Sequence, residues 1–195
     1  MAQHVALHTK LRGTGGKDVY LTPAWVWGAI RHLLPEDKVA WEAFPGPGYS
    51  LRQMKELKYN VTGFEGEDFF EHDRGDYVLS NPPFSMKNEI VKRLYELDKP
   101  FMLLLPIQCI PLLCFRKQWE AGDIQLVLFG DRVHYLEPDE SKTAGCPFDS
   151  VFICYKMNLP EQLNYIPHGK VKSPRKRTKL VAEEGGDRKK KQKRG

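Results

Sequence analysis

Asn81, Pro82, Pro83 and Phe84 follow directly on an apolar run, Tyr77-Val78-Leu79, and together they are a group that could do chemistry. The run reads as a buried strand. Two consecutive prolines cannot continue it, because they lack N–H groups and fix φ. A polar Asn81 therefore stands where a strand ends, and in an open α/β sheet that end is where ligands bind. The Asn81 side-chain oxygen is an acceptor. The Pro82 carbonyl has no regular ladder role there and is free to be a second one. Two acceptors side by side can take both hydrogens of an exocyclic NH2 group, hold its lone pair out of conjugation and aim it at an electrophile. Phe84 offers a face on which a planar base stacks, worth roughly 1–3 kcal/mol per base. The structural alternative is a rigid Pro-Pro turn capped by a core phenylalanine.

The elements that must position this group are legible on either side. Upstream, Thr22 reads as an N-cap and Pro23 as the first residue of a helix whose apolar face carries Trp27, Ile30 and Leu34, stopped by Pro35. A short strand from Val39 then runs into Glu42. The loop Phe44-Pro-Gly46-Pro-Gly48 follows, and then a helix bearing Leu51, Met54 and Leu57. Strand, Gly-x-Gly turn and helix make the first half of a nucleotide-binding unit, with glycines that let backbone approach a ligand closely. No third glycine follows at dinucleotide spacing, which argues against a pyrophosphate ligand. Tyr59 to Glu65 reads as a second strand ending in a carboxylate. An acid at that place takes ribose hydroxyls, although a solvent-facing turn residue fits equally. Only ten residues separate Glu65 from Asp76, too few for a regular helix and third strand, so one edge of the sheet is expected to be trimmed.

Downstream, residues 86–98 read as a helix through Ile90, Leu94 and Leu97, and Phe101 to Pro106 as a continuous apolar strand of the kind found mid-sheet. A helix over 107–121, a strand over 124–129, a polar loop over 131–147 and a strand over 148–155 complete the series. Residues 158–169 read as a proline-containing exit. The expected organisation is a flexible arm (1–17), one α/β domain (18–169) and a disordered tail (170–195).

Charge divides along the same line. Residues 170–195 hold 12 Lys/Arg against 3 Asp/Glu, a net +9, whereas 1–169 holds 18 against 22, a net −4. The runs Ser173–Lys179 and Arg188–Arg194 look like nuclear-import signals and like nucleic-acid tails. Such a tail gives salt-sensitive, sequence-blind affinity; a purely solubilising tail is the alternative. There is no apolar stretch of about 18 residues, so no membrane span is expected, and the N-terminus lacks the apolar core of a signal peptide. An intracellular protein is expected, nuclear if the source is a eukaryote or a virus of one. The four cysteines show no Cys-x-x-Cys spacing and the six histidines do not join them, so no metal site is expected.

The order Thr-Pro, glycine loop, second-strand acid, Asn-Pro-Pro-Phe resembles that of the S-adenosylmethionine-dependent adenine-N6 DNA methyltransferases, small phage and viral forms included, over about residues 18–155. The resemblance implies a Rossmann-like methyltransferase fold: a mostly parallel central sheet with an antiparallel last strand and helices on both faces. It implies that Tyr20, Thr22 and Pro23 line the methionine end of the cofactor. Glu42, Phe44, Gly46 and Gly48 match an acidic-x-Phe-x-Gly-x-Gly cofactor motif, and a carboxylate at Glu42 suits a ligand with an α-amino group and a sulfonium. Asp68 and Phe69 match an Asp-Phe-Phe found near the cofactor adenine, and Glu65 falls in the ribose place. Pro45 and Pro47 replace the small residues usual in the loop.

Asn81, Pro82, Pro83 and Phe84 are then the catalytic set. Ser85, Arg132 and Lys142 are candidate substrate contacts, the two cations meeting phosphate unless they are merely solvated. No segment is long enough for a separate target-recognition domain, so a protein partner could supply sequence preference. The expected partner is nucleic acid, DNA before RNA. The same motif also occurs in enzymes acting on guanine N2, a protein glutamine amide or, in variant form, cytosine N4. A catalytically inactive nucleic-acid-binding subunit is the rival from another class.

Overall fold

The computed structural model describes residues 20–136 and 147–169. Chain order is α1 (Ala24–Ile30), β1 (Ala40–Trp41), α2 (Tyr49–Glu56), β2 (Val61–Thr62), β3 (Tyr77–Ser80), α3 (Lys87–Glu96), β4 (Phe101–Pro106), α4 (Leu113–Ala121), β5 (Ile124–Phe129), β6 (Ser150–Tyr155) and β7 (Leu163–Ile166). The strands form one seven-stranded sheet in the order β2-β1-β3-β4-β6-β5-β7. The β1–β2, β1–β3, β3–β4 and β5–β7 pairs are parallel, and β6 runs antiparallel to both its neighbours.

Helices cover both faces. Along β4, Met102 and Leu104 face one layer with Trp27 and Ile30 of α1 and Met54 of α2. Phe101, Leu103 and Leu105 face the other with Ile90 and Leu94 of α3 and Phe115 of α4. The unbroken apolar run of β4 follows from burial on both sides.

The trimmed edge is where the sequence places it. Along the chain β2 is followed directly by β3, with no further strand added outside β2, and the two-residue β2 forms the rim among the described residues. The link over 66–76 is fastened to the sheet instead. Lys99 Nζ ion-pairs with Asp73 and donates to the carbonyls of Arg74 (3.1 Å) and Gly75 (2.8 Å). Asp76 N donates to the Val39 carbonyl at 2.7 Å, and Val39 N to Asp76 Oδ2 at 2.6 Å.

Three sequence expectations are corrected. Thr22 does not cap α1: Pro23, in extended conformation, holds the N-cap position without a side-chain bond. Residues 131–136 are not simply a polar loop, since Val133 and Tyr135 are buried and Leu136 bridges to Leu21. The exit segment holds a further strand, β7, in which Asn164 and Ile166 turn inward while Leu163 and Tyr165 stay exposed. Asn164 Nδ2 donates to the Leu126 and Glu161 carbonyls, which makes its burial tolerable. A four-residue strand close to Pro160 and Pro167 gives little periodicity to read.

Candidate functional site

The carboxyl ends of β1 and β3 lie side by side, because Ala40 pairs with Tyr77 and Trp41 with Val78. Just past the paired residues the two strands meet through side chains: Ser80 Oγ donates to Glu42 Oε1. Glu42 is wholly buried and also accepts from Phe44 N at 3.1 Å. Burial pushes its carboxyl up from 4.5 to about 7, against the lowering effect of hydrogen bonds from Ser80, Ser50 and the Phe44 backbone. Its second oxygen has no hydrogen-bond partner among the described residues.

After Glu42 the chain turns through the two glycines. Gly46 and Gly48 have φ of +54° and +75°, and Gly48 opens α2 in the left-handed conformation. A Cβ on Gly46 would meet nothing, whereas one on Gly48 would strike Glu65 Oε1. Glycine at 48 is thus required by backbone and by close approach together.

A cleft holding about 190 Å³ accessible to water opens over this turn. Its walls are Phe44, Pro45, Pro47, Tyr49 and Phe64, with Tyr20, Thr22, Asn81 and Pro83 along one side and Glu67 at another. Asn81 is held at the rim by Nδ2, which donates to the main-chain carbonyl of Tyr20 at 2.8 Å. Its Oδ1, and the Thr22 hydroxyl, are buried without a hydrogen-bond partner among the described residues. Polar atoms so placed are costly unless something supplies the missing bond.

Past Asn81, Pro82 and Pro83 are buried and Phe84 begins a short 3-10 turn over Phe84–Met86. The Phe84 ring stacks on Tyr20, with centroids 5.5 Å apart and planes 23° from parallel. Phe148 stands edge-on to both.

The expected site residues therefore divide. Tyr20, Thr22, Phe44, Gly46, Asn81 and Pro83 line the cleft, and Gly48 shapes its turn. Pro23 starts α1 beside it without lining it, and Glu42 lies behind the wall, touching the lining residues Phe44 and Ser50. Glu65 lies over Gly48, outside the lining. Asp68 accepts from Phe70 N at 2.9 Å, closing a turn. Phe69 is 1% exposed between Trp41 and Phe44, which makes it core and leaves no free face for a cofactor ring. Ser85 is exposed, Arg132 ion-pairs with Asp149 at 3.1 Å, and Lys142, like the arm and the basic tail, lies outside the described residues.

The lining acid that sequence reasoning missed is Glu67. It is gripped by Arg74, whose Nε lies 2.8 and 2.9 Å from its two oxygens, and Arg74 in turn covers Phe64. Two acids two residues apart carry no signal saying which one the turn sends inward.

Among the described residues, no cluster of three His, Cys, Asp or Glu side chains could hold a metal, and no helix is long and apolar enough to cross a membrane.

No family profile and no curated protein matches the sequence. Among solved structures, a protein described as the modification subunit of a type I restriction enzyme from Vibrio vulnificus is similar at 13% identity and a TM-score of 0.49, over 87% of this chain and 52% of that one. The chain thus spans about half the length of that protein. A protein described as a class I S-adenosylmethionine-dependent methyltransferase from Listeria monocytogenes is similar at 13% identity and a TM-score of 0.44, over 74% and 64% of the two chains. One described as an RNA methyltransferase from Pyrococcus horikoshii stands at 16% identity and 0.39, over 67% and 78%.

Proposed function

We propose that the chain transfers a methyl group from S-adenosylmethionine to the exocyclic N6 amino group of adenine in nucleic acid, DNA before RNA. One observation carries this reading: Asn81 is fixed by its amide nitrogen so that its oxygen, buried and unpartnered among the described residues, stands free beside the cleft. A rim acceptor without a donor is what an incoming NH2 group satisfies.

The cleft fits the cofactor by its chemistry. Aromatic and proline walls suit an adenosyl group. The Thr22 hydroxyl, unpartnered among the described residues, suits the polar methionine end. Glu42, behind the glycine turn with one oxygen unpartnered among the described residues, has its carboxyl pushed up to about 7 by burial, and a ligand carrying a sulfonium and an α-amino group would favour its ionised form. Glu65, which lies against Gly48, and Glu67, on the cleft wall, are the carboxylates offered to ribose hydroxyls. When bound, the sulfonium offers an electrophilic methyl carbon: the amine lone pair forms the N–C bond as the C–S bond breaks, and that electron pair returns to sulfur.

Asn81 and the Pro82 carbonyl orient the amine and keep its lone pair directed, and Phe84 supports the ring. The proton released from nitrogen passes to water. Positioning accounts for most of the rate. The base is presented unpaired, either extruded from a duplex or already single-stranded. The basic segment 170–195 adds affinity for phosphates without reading sequence.

The test incubates the full chain and labelled methyl donor with duplex DNA, single-stranded DNA and RNA, then identifies the modified nucleoside. Label on adenine N6, lost in Asn81→Ala, is expected. Label on guanine, cytosine or protein overturns the substrate. An unlabelled outcome with no cofactor binding by calorimetry makes the chain an inactive subunit.

A further inference from the structure

Next to Asn81 stands an aromatic arrangement that methyl transfer alone does not call for. Tyr20 and Phe84 lie 5.5 Å apart and 23° from parallel. Phe148 meets Tyr20 at 80° and 5.6 Å, and Phe84 at 81° and 5.3 Å. Two near-parallel walls and one perpendicular end make a three-sided box. Its back is rigid: Tyr135 is wholly buried, packs against Tyr20 and Phe148, and is tied through Oη to Ser150 Oγ at 2.8 Å.

We propose that Tyr20 and Phe84 are the two walls of a slot for one unpaired purine base. They close on each other in the free protein, and the base enters by inserting between them. This rests on the function proposed above and assigns it a second stacking residue, so that the substrate class is a single unpaired base held on both faces.

The geometry supports the movement required. Aromatic rings pair at centroid separations of about 4.5–7 Å, so the walls must part by roughly one ring thickness to admit a base, restoring a stack on each side. Tyr20 can turn its ring aside without releasing Asn81, because it holds Asn81 through its main-chain carbonyl and not its side chain. The acceptor that grips the amine stays set while the wall moves. Phe148 edge-on fixes how deep a ring can go, and a two-ring purine fills more of both walls than a pyrimidine does. Because every base has a π-face, the slot selects an unstacked base and leaves neighbouring sequence unread.

The proposal is tested with the full chain and a single-stranded oligodeoxyadenylate. Tyr20→Leu, which keeps apolar bulk and removes the plane, raises KM about tenfold, while Tyr20→Phe stays within about threefold. The catalytic rate at saturation changes less than KM in both. Unchanged KM in Tyr20→Leu, or equal loss in the two variants, overturns the slot even if adenine methylation is confirmed. A second arm needs no variant and no turnover. An oligonucleotide carrying a photoreactive 8-azidoadenine is irradiated with the unmodified chain and the attachment sites are mapped. Attachment at Tyr20, Phe84 or Phe148 supports the slot even if no methyl is transferred, and attachment confined to residues 170–195 overturns it.

Discussion

The amide nitrogen of Asn81 points at the main-chain carbonyl of Tyr20, 2.8 Å away, across 61 positions of sequence. Because the nitrogen is committed, the side-chain oxygen has one orientation left. Asn81→Ala is expected to lower methyl transfer by about 10²–10³, the usual cost of losing one pre-oriented polar group at a reacting centre. Asn81→Asp sets a carboxylate oxygen against the Tyr20 carbonyl and should lose both activity and stability. Transfer assays and melting curves separate the two variants, since Asn81→Ala should melt close to the parent.

Glu42 gives a pH signature. Its carboxyl rises from 4.5 to about 7 on folding because it is buried, so the folded chain binds the proton more tightly than the unfolded one. Stability is therefore highest below the unfolded value, falls as pH rises between 4.5 and about 7, and levels off above it. At about 1.4 kcal/mol per pH unit the loss is about 3 kcal/mol at most. Urea unfolding from pH 4.5 to 8 should show this slope in the parent and a flatter one in Glu42→Gln. A similar slope in both would place the titration elsewhere.

Gly48 is constrained twice, by its φ of +75° and by Glu65. Gly48→Ala should cost about 1–2 kcal/mol for the left-handed conformation alone, and more while Glu65 is present. Glu65→Ala is expected to recover part of that loss, giving a favourable coupling in a double-mutant cycle of melting curves. Additive losses would mean the Glu65 side chain yields without resistance.

Lys99→Met should destabilise the chain by roughly 1.5–3 kcal/mol, since it leaves two carbonyls and Asp73 without their charged donor. Hydrogen exchange is expected to rise first over residues 73–76. Uniform loss of protection would mean that the link and the sheet unfold as one unit.

Deleting residues 170–195 removes 12 Lys/Arg and should weaken oligonucleotide binding at low salt and flatten its salt dependence. Cofactor affinity should hold. Equal loss of both would mean that the tail belongs to the folded domain.

What the sequence disclosed follows from the range of its signals. Asn81 at a strand end, the Gly46–Gly48 turn and the long apolar β4 are local patterns with local causes, and they stand where the pattern puts them. The absent third strand could be counted from the ten residues before Asp76. Contacts between distant segments were not legible. Nothing in Tyr20 announces that its carbonyl fixes Asn81, and nothing in Lys99 that it fastens 73–75. Thr22 misled because a threonine before a proline helix start is a good cap in isolation, yet here it lines the cleft and its hydroxyl has no partner among the described residues. The burial of Phe69 was not legible either, because a residue type shared with a ligand site fits a core equally well. The alternation of Val133 and Tyr135 was present in the sequence, but its polar surroundings hid it.

The two rims of the sheet differ in what they offer another chain. At β2, two residues give hardly any backbone ladder on which a foreign segment could grow. At β7, four residues end the sheet with Leu163 and Tyr165 more than half exposed. Self-association in concentrated solution should accordingly begin at that end, and a charged residue at 163 should suppress it without touching the cleft.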